Sequence, residues 1–158
     1  MKSDRMSGTQ APAIPERKRA ADLLARATKE ELAHAWAQLA EKPEVQLVRG
    51  PETGLVMVRG RVGGGGAPFN LGEVTVTRAT VRLSSGAIGH AQALGTDRER
   101  ARLAAVFDAL WSKDDTRNFI EESLLSTIAG RIAVDDRKRA EETAATRVDF
   151  FTMVRGED

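Results

Sequence analysis

Apolar residues recur at three- and four-residue spacing near both ends of the chain and alternate through its middle, so the pattern predicts helices flanking strands. Residues 1–15 carry no periodic apolar signal, and Pro12 and Pro15 oppose a helix there, which predicts a disordered N-terminal tail. From Glu16 onward Ala20, Leu23, Leu24 and Ala27 mark a first amphipathic helix, with Arg17, Lys18, Arg19 and Arg26 available for its outer face. Thr28 followed three positions later by Glu31 has the form of a capping box. It opens a second helix to about Ala40, whose apolar face is Leu32, Ala35, Trp36 and Leu39, with His34 toward the polar side and Pro43 blocking continuation.

The period then changes to two. Val45 and Leu47, and after them Leu55 to Val62, read as strands broken by the turn-forming run Gly50-Pro51-Glu52-Thr53-Gly54. Leu55, Met57, Arg59 and Arg61 share one face, and Val56, Val58, Gly60 and Val62 share the other, which is the better candidate for the core side. Four glycines, Gly63 to Gly66, make a loop, and Leu71 to Leu83 is a long strand rich in β-branched residues that pairs back as an antiparallel hairpin. Ser84-Ser85-Gly86 is a second turn and Ala87 to Leu94 a further strand.

Thr96 and Glu99 repeat the capping pattern ahead of Leu103, Val106, Phe107, Leu110 and Trp111, which form a strongly periodic helix. After the polar break Ser112-Lys113-Asp114-Asp115, Phe119 to Ala129 is again helical, with Gly130 a possible interruption. Residues 131–147 are dense in charge and alanine, which predicts a solvated helix or one completed by a partner chain. The order of elements argues for an α+β domain, with an antiparallel sheet of about four strands in hairpins and helices at both ends, rather than alternating βαβ units. One domain spanning residues 16–158 is expected, with a docking segment at 147–156.

Composition narrows the chemistry. The 24 basic and 23 acidic side chains leave a net charge of +1, so the molecule as a whole has no general attraction for nucleic acid or an anionic membrane. The absence of cysteine removes disulfides, thiolate nucleophiles, iron–sulfur ligation and cysteine-based zinc sites together. No run approaches the ~20 apolar residues of a membrane span, and no signal-peptide core follows Lys2 and Arg5; a cytoplasmic protein is expected.

The glycine loop invites an anion-binding reading, because consecutive backbone N–H groups form nests. A Walker loop, however, needs Gly-Lys-Ser/Thr opening a helix, and here Ala67-Pro68-Phe69 opens a strand; a dinucleotide fingerprint fails for the same reason. A flexible hairpin loop and a phosphate or partner contact both remain open. Arg59, Arg61, Arg78 and Arg82 add guanidinium forks suited to phosphate oxygens, and their other reading is a surface paired with Glu52 and Glu73. The candidate ligand contacts are Gly63, Gly64, Gly65, Thr77, Arg78 and Arg82. No metal site is expected from His34 and His90, and Ser84 and Ser85 lack a nucleophile elbow. The apolar end, Val148, Asp149, Phe150, Phe151, Met153, Val154 and Arg155, is an expected interface, covered by this chain's own sheet or by another subunit, because leaving such side chains in water forgoes ~1.5–3 kcal/mol each.

The same residues carry a likeness. The runs Glu52-Thr53-Gly54-Leu55-Val56, Arg61-Val62-Gly63-Gly64 with Phe69, Gly72-Glu73, Thr77-Arg78-Ala79 with Val81-Arg82-Leu83, and Arg147-Val148-Asp149-Phe150-Phe151-Thr152-Met153-Val154-Arg155-Gly156 closely resemble the PhnG family. The likeness runs from about Ala20 to the C-terminus and is specific in the last ten-residue run. It implies a subunit of the bacterial carbon–phosphorus lyase system for phosphonate breakdown. With PhnH, PhnI and PhnL, such a subunit supports transfer of ribose triphosphate from ATP to methylphosphonate, releasing adenine and making the ribose 1-phosphonate 5-triphosphate. The resemblance also implies two copies in a symmetric hetero-oligomer that includes PhnJ, which holds the iron–sulfur cluster and uses S-adenosylmethionine. It implies no cofactor in this chain, whose role is structural or site-completing, and it assigns no catalytic residue. The alternative class is a stand-alone module binding a phosphonate or triphosphate anion.

Overall fold

A computed structural model describes residues 14–146. The helices α1 (Ile14–Arg26) and α2 (Lys29–Gln38) precede three strands, β1 (Val45–Arg61), β2 (Pro68–Leu83) and β3 (Ile88–Leu94). After them come α3 (Arg98–Trp111), α4 (Asp114–Ile120) and α5 (Ser126–Ala145), the last two joined by a π turn over Glu121–Leu125. The sheet is antiparallel in the order β1-β2-β3, and the helices lie against one of its faces, so the α+β class and the helices at both ends are as expected.

The strand count is three where the sequence suggested about four. Gly50-Pro51 does not end a strand; it is absorbed in β1 by slips of register between Leu47 and Arg49 and between Arg49 and Glu52. Pro51 is tolerated because β1 is an edge strand, where a missing N–H breaks no ladder.

Local chemistry sets most helix ends. Thr28 caps α2 as a full capping box: its hydroxyl accepts from the Glu31 N–H at 3.2 Å, and the Glu31 carboxylate accepts from the Thr28 N–H at 2.8 Å. Pro15 sits in the first turn of α1, where no intrahelical N–H is required. The cap of α3 is Asp97 rather than Thr96, with its carboxylate taking the Arg100 N–H at 2.9 Å. Gly130 lies inside α5 without breaking it; the irregularity falls earlier, in the π turn.

The core sits between α3 and the sheet. Leu103 to Trp111 are all buried on α3, facing Ala79, Val81 and Leu83 of β2 and Ala91 of β3. Each large side chain fully buried there contributes roughly 1.5–3 kcal/mol. A second layer of Leu24, Leu32, Ile120, Leu124, Leu125 and Ile128 closes the far side of α3. Small residues let the helix approach the sheet: a Cβ on Gly89 would overlap the Ala105 carbonyl oxygen and lie 2.5 Å from the Ala109 nitrogen.

Polar ties cross this core at two places. The buried Asp108 of α3 accepts with Oδ2 from the His90 N–H at 2.8 Å and from the Arg17 guanidinium at 3.0 Å, joining α3, β3 and α1. Arg131 of α5 donates to both Glu31 oxygens, at 2.7 and 3.1 Å, and to the Arg26 carbonyl at 2.8 Å. Partial burial alone would raise the Glu31 pKa, but the bonds from Arg131 and the Thr28 N–H, with the guanidinium charge, outweigh it and hold the carboxyl below its ordinary value.

Two stability measurements follow from these contacts. Gly89→Ala should cost about 1–3 kcal/mol in denaturant unfolding, because the clash is with backbone that cannot rotate away. A carboxylate with a lowered folded pKa contributes stability that is complete above its unfolded value and lost as the pH falls through the folded one. Glu31→Gln should therefore lower stability at neutral pH and flatten the acid limb of the wild-type stability profile, as measured by urea unfolding across pH 2–7.

Candidate functional site

Among the described residues, no helix lies on one face of the sheet. Along β2, Thr77, Ala79, Val81 and Leu83 point to the helices and are buried, whereas Arg78 and Arg82 point away and are exposed. The register builds rows across that open face: Glu52, Arg78 and Gln92, then Arg49, Thr80 and His90, then Gln46, Arg82 and Ile88. Glu52 is the centre of the charge pattern, taking Arg78 Nε at 2.6 Å and Arg49 Nε at 2.5 Å. The Arg78 hydrogen bond, reinforced by Arg49, holds its carboxyl below the ordinary glutamate value. Thr80 Oγ1 and His90 Nδ1 meet at 3.1 Å in the next row. A shallow cleft of about 240 Å³ lies beside Glu52, Thr53, Val76, Arg78 and Gln92.

The expected ligand contacts fall in three separate places. Arg78 and Arg82 share the open face, four residues apart along β2, about 13 Å. Thr77 is on the opposite face, fully buried, donating to the Gly95 carbonyl at 2.7 Å with the Thr53 hydroxyl 2.9 Å away. Gly63, Gly64 and Gly65 belong to the tip of the β1–β2 hairpin, where Val62–Gly64 forms one 3₁₀ turn and Gly63 takes the left-handed φ of 59° that favours glycine. Arg61 closes this tip on itself by donating to the Gly66 carbonyl at 3.1 Å. From Pro68, beside the tip, to Arg78 is ten residues of strand, roughly 33 Å, so the glycines and Arg78 do not converge.

Between these places runs an arm. The last β2–β3 pair is Val76 with Leu94, and beyond it β1 and β2 continue as a two-stranded ribbon to Arg61 and Pro68. Val56 and Val62, expected to face the core, are 49% and 71% exposed, because the ribbon has left the sheet and the helices behind. Leu55, Met57, Phe69 and Leu71 are exposed on it as well. His34 is exposed on α2, 3.2 Å from Gln38 Nε2, and no cluster of metal-ligating side chains occurs among the described residues. The candidate interface residues Val148, Asp149, Phe150, Phe151, Met153, Val154 and Arg155 lie outside the described residues.

Arg49 and Asp108 are functional-looking positions that sequence reasoning passed over. Arg49 follows a turn-like run and gains its partner only through the bulge; Asp108 is a lone acid in the apolar helix Leu103–Trp111, which was a readable signal for a buried ion pair.

A family model described as "Phosphonate metabolism protein PhnG" matches residues 15–156. A curated relative from Rhizobium meliloti (strain 1021), described as "Alpha-D-ribose 1-methylphosphonate 5-triphosphate synthase subunit PhnG", is 63% identical over 145 residues, which cover 92% of this chain and 92% of the relative.

Thr77→Val tests the place of that hydroxyl in the fold. It leaves the Gly95 carbonyl without its donor, and unfolding should show a loss of about 1–3 kcal/mol.

Proposed function

The chain belongs to the PhnG family of phosphonate metabolism proteins, and on that premise we propose that it is a subunit of an alpha-D-ribose 1-methylphosphonate 5-triphosphate synthase. In this reading it works in the cytoplasm with PhnH, PhnI and PhnL homologues to move ribose triphosphate from ATP to methylphosphonate with release of adenine. It then sits with a PhnJ homologue in a symmetric hetero-oligomer holding two copies of this chain. ATP is a substrate of the whole assembly, and this subunit brings no cofactor of its own.

The observation that carries the reading is the 63% identity to a synthase subunit over nearly the full length of both chains. The shape of the molecule supports an assembly role. Leu55, Val56, Met57, Val62, Phe69 and Leu71 project from a ribbon that supplies none of the core formed by the described residues. Burying such side chains against a partner would recover roughly 25 cal/mol for each Å² of apolar surface covered. The contribution of this chain is then to position and complete a site built mainly by its partners, with the arm entering a partner cleft and the open face, with Arg49, Arg78 and Arg82, lying beside it.

The test is co-expression with the neighbouring subunits. Leu55→Ser combined with Phe69→Ser and Leu71→Ser should leave the unfolding midpoint of the isolated chain within error of wild type, since all three are exposed. The same variant should lose co-purification with the other subunits and the ATP-dependent release of adenine. Retention of both would remove the assembly role assigned to the arm.

A further inference from the structure

The outer edge of β3 is engaged at two points and otherwise open among the described residues. In an antiparallel pair alternate residues bond to the neighbouring strand, and the Gly95 N–H to Thr75 and Leu83 N–H to Ala87 bonds place the odd-numbered residues of this segment toward β2. The N–H and C=O groups of Ile88, His90, Gln92 and Leu94 therefore point outward, and the last three residues line a groove. Asp108 takes the His90 N–H at 2.8 Å, and the Arg100 guanidinium donates to the Leu94 carbonyl at 2.8 Å. Of the six groups on those three groove residues, four have no partner among the described residues: the His90 carbonyl, both groups of Gln92, and the Leu94 N–H. They border the groove, of about 520 Å³ between β3 and α1, floored on the helix side by Ala21, Leu24 and Ala25.

Bare strand edges ask for a strand. We propose that this chain's own residues Phe151–Arg155 lie antiparallel along β3 in that groove, with Met153 opposite Gln92. Gln92 then exchanges both bonds with Met153, the Leu94 N–H donates to the Phe151 carbonyl, and the His90 carbonyl accepts from the Arg155 N–H. All four open groups are used, and the two already engaged by Asp108 and Arg100 are not needed. Cross-strand partners share a face. Thr152 and Val154 come opposite Ala93 and Ala91, filling the alanine-lined side, while Phe151 covers Leu94, which is 67% exposed.

Reach and direction agree. Asp136 of α5 is 3.8 Å from Arg26, which lines the groove, and Ala145 lies nine residues further along the helix, about 14 Å. The six-residue step from Ala145 to Phe151 can span up to about 20 Å, enough to return to that mouth. Arg17 sits at the His90 end through Asp108, so Arg26, nine residues on, marks the Leu94 end, where Phe151 enters.

Amide hydrogen exchange of the full-length chain tests the register. The Gln92 and Leu94 amides should exchange at least tenfold more slowly in the wild type than in Met153→Pro, which removes the N–H that Gln92 accepts, or in Ala21→Glu, which puts a charge in the groove at an exposed position. The buried amides of α3 should be unchanged in both variants. Equal exchange at Gln92 and Leu94 in wild type and both variants would overturn the proposal. So would protection that grows with protein concentration, which assigns the groove to a second copy, or protection that arises only with the other subunits present, which assigns it to a partner's strand.

Discussion

The close approach of α3 to β3 at Gly89 is the constraint on which the rest of the molecule depends. With no side chain at Gly89, the backbone of β3 rests against Ala105 and Ala109, and α3 is brought near enough for Phe107, Leu110 and Trp111 to be sealed between layers. Asp108, on the same helix, then reaches the His90 N–H and Arg17, so one carboxylate ties strand, central helix and first helix together. Removing either partner from a buried, hydrogen-bonded charge costs more than the pair contributes, because the remaining polar atoms have lost water without replacement. The tie therefore specifies the arrangement more than it strengthens it.

Among the described residues, helices cover a single sheet face and leave the other face and the arm as surface. Charges there behave as surface charges: Glu52 bridges Arg49 and Arg78 in contact with solvent, where exposed pairs add little to stability. The arginines of the open face are accordingly available for contacts outside this chain at little cost to its fold, and the apolar residues of the arm stand in the same position.

The α+β class, the order of elements and the cap of α2 were legible because each rests on local chemistry: period, β-branching, or a Thr-x-x-Glu spacing. The strand count was not, since a Gly-Pro-Glu-Thr-Gly run reads as a turn whether it ends an edge strand or bulges within it, and only tertiary position decides. The same limit explains Val56 and Val62. Alternation reports which residues share a face, but whether anything covers that face depends on where β3 stops, at Leu94, far along the sequence. Thr77 and Arg78 are neighbours in the chain and opposite in the sheet, and a motif read along the sequence brings together groups that the pleat separates.

The arm has a consequence of its own. Its tip, closed by Arg61 on Gly66, stands roughly 33 Å along the strand from the Glu52–Arg78 pair, and little of the body's packing extends that far. Folding and reaching are thus separate tasks for this chain. The body answers to its own interior, whereas the length, twist and side chains of the ribbon are free to be matched to whatever surface receives them, as a key's blade can be recut without changing its bow.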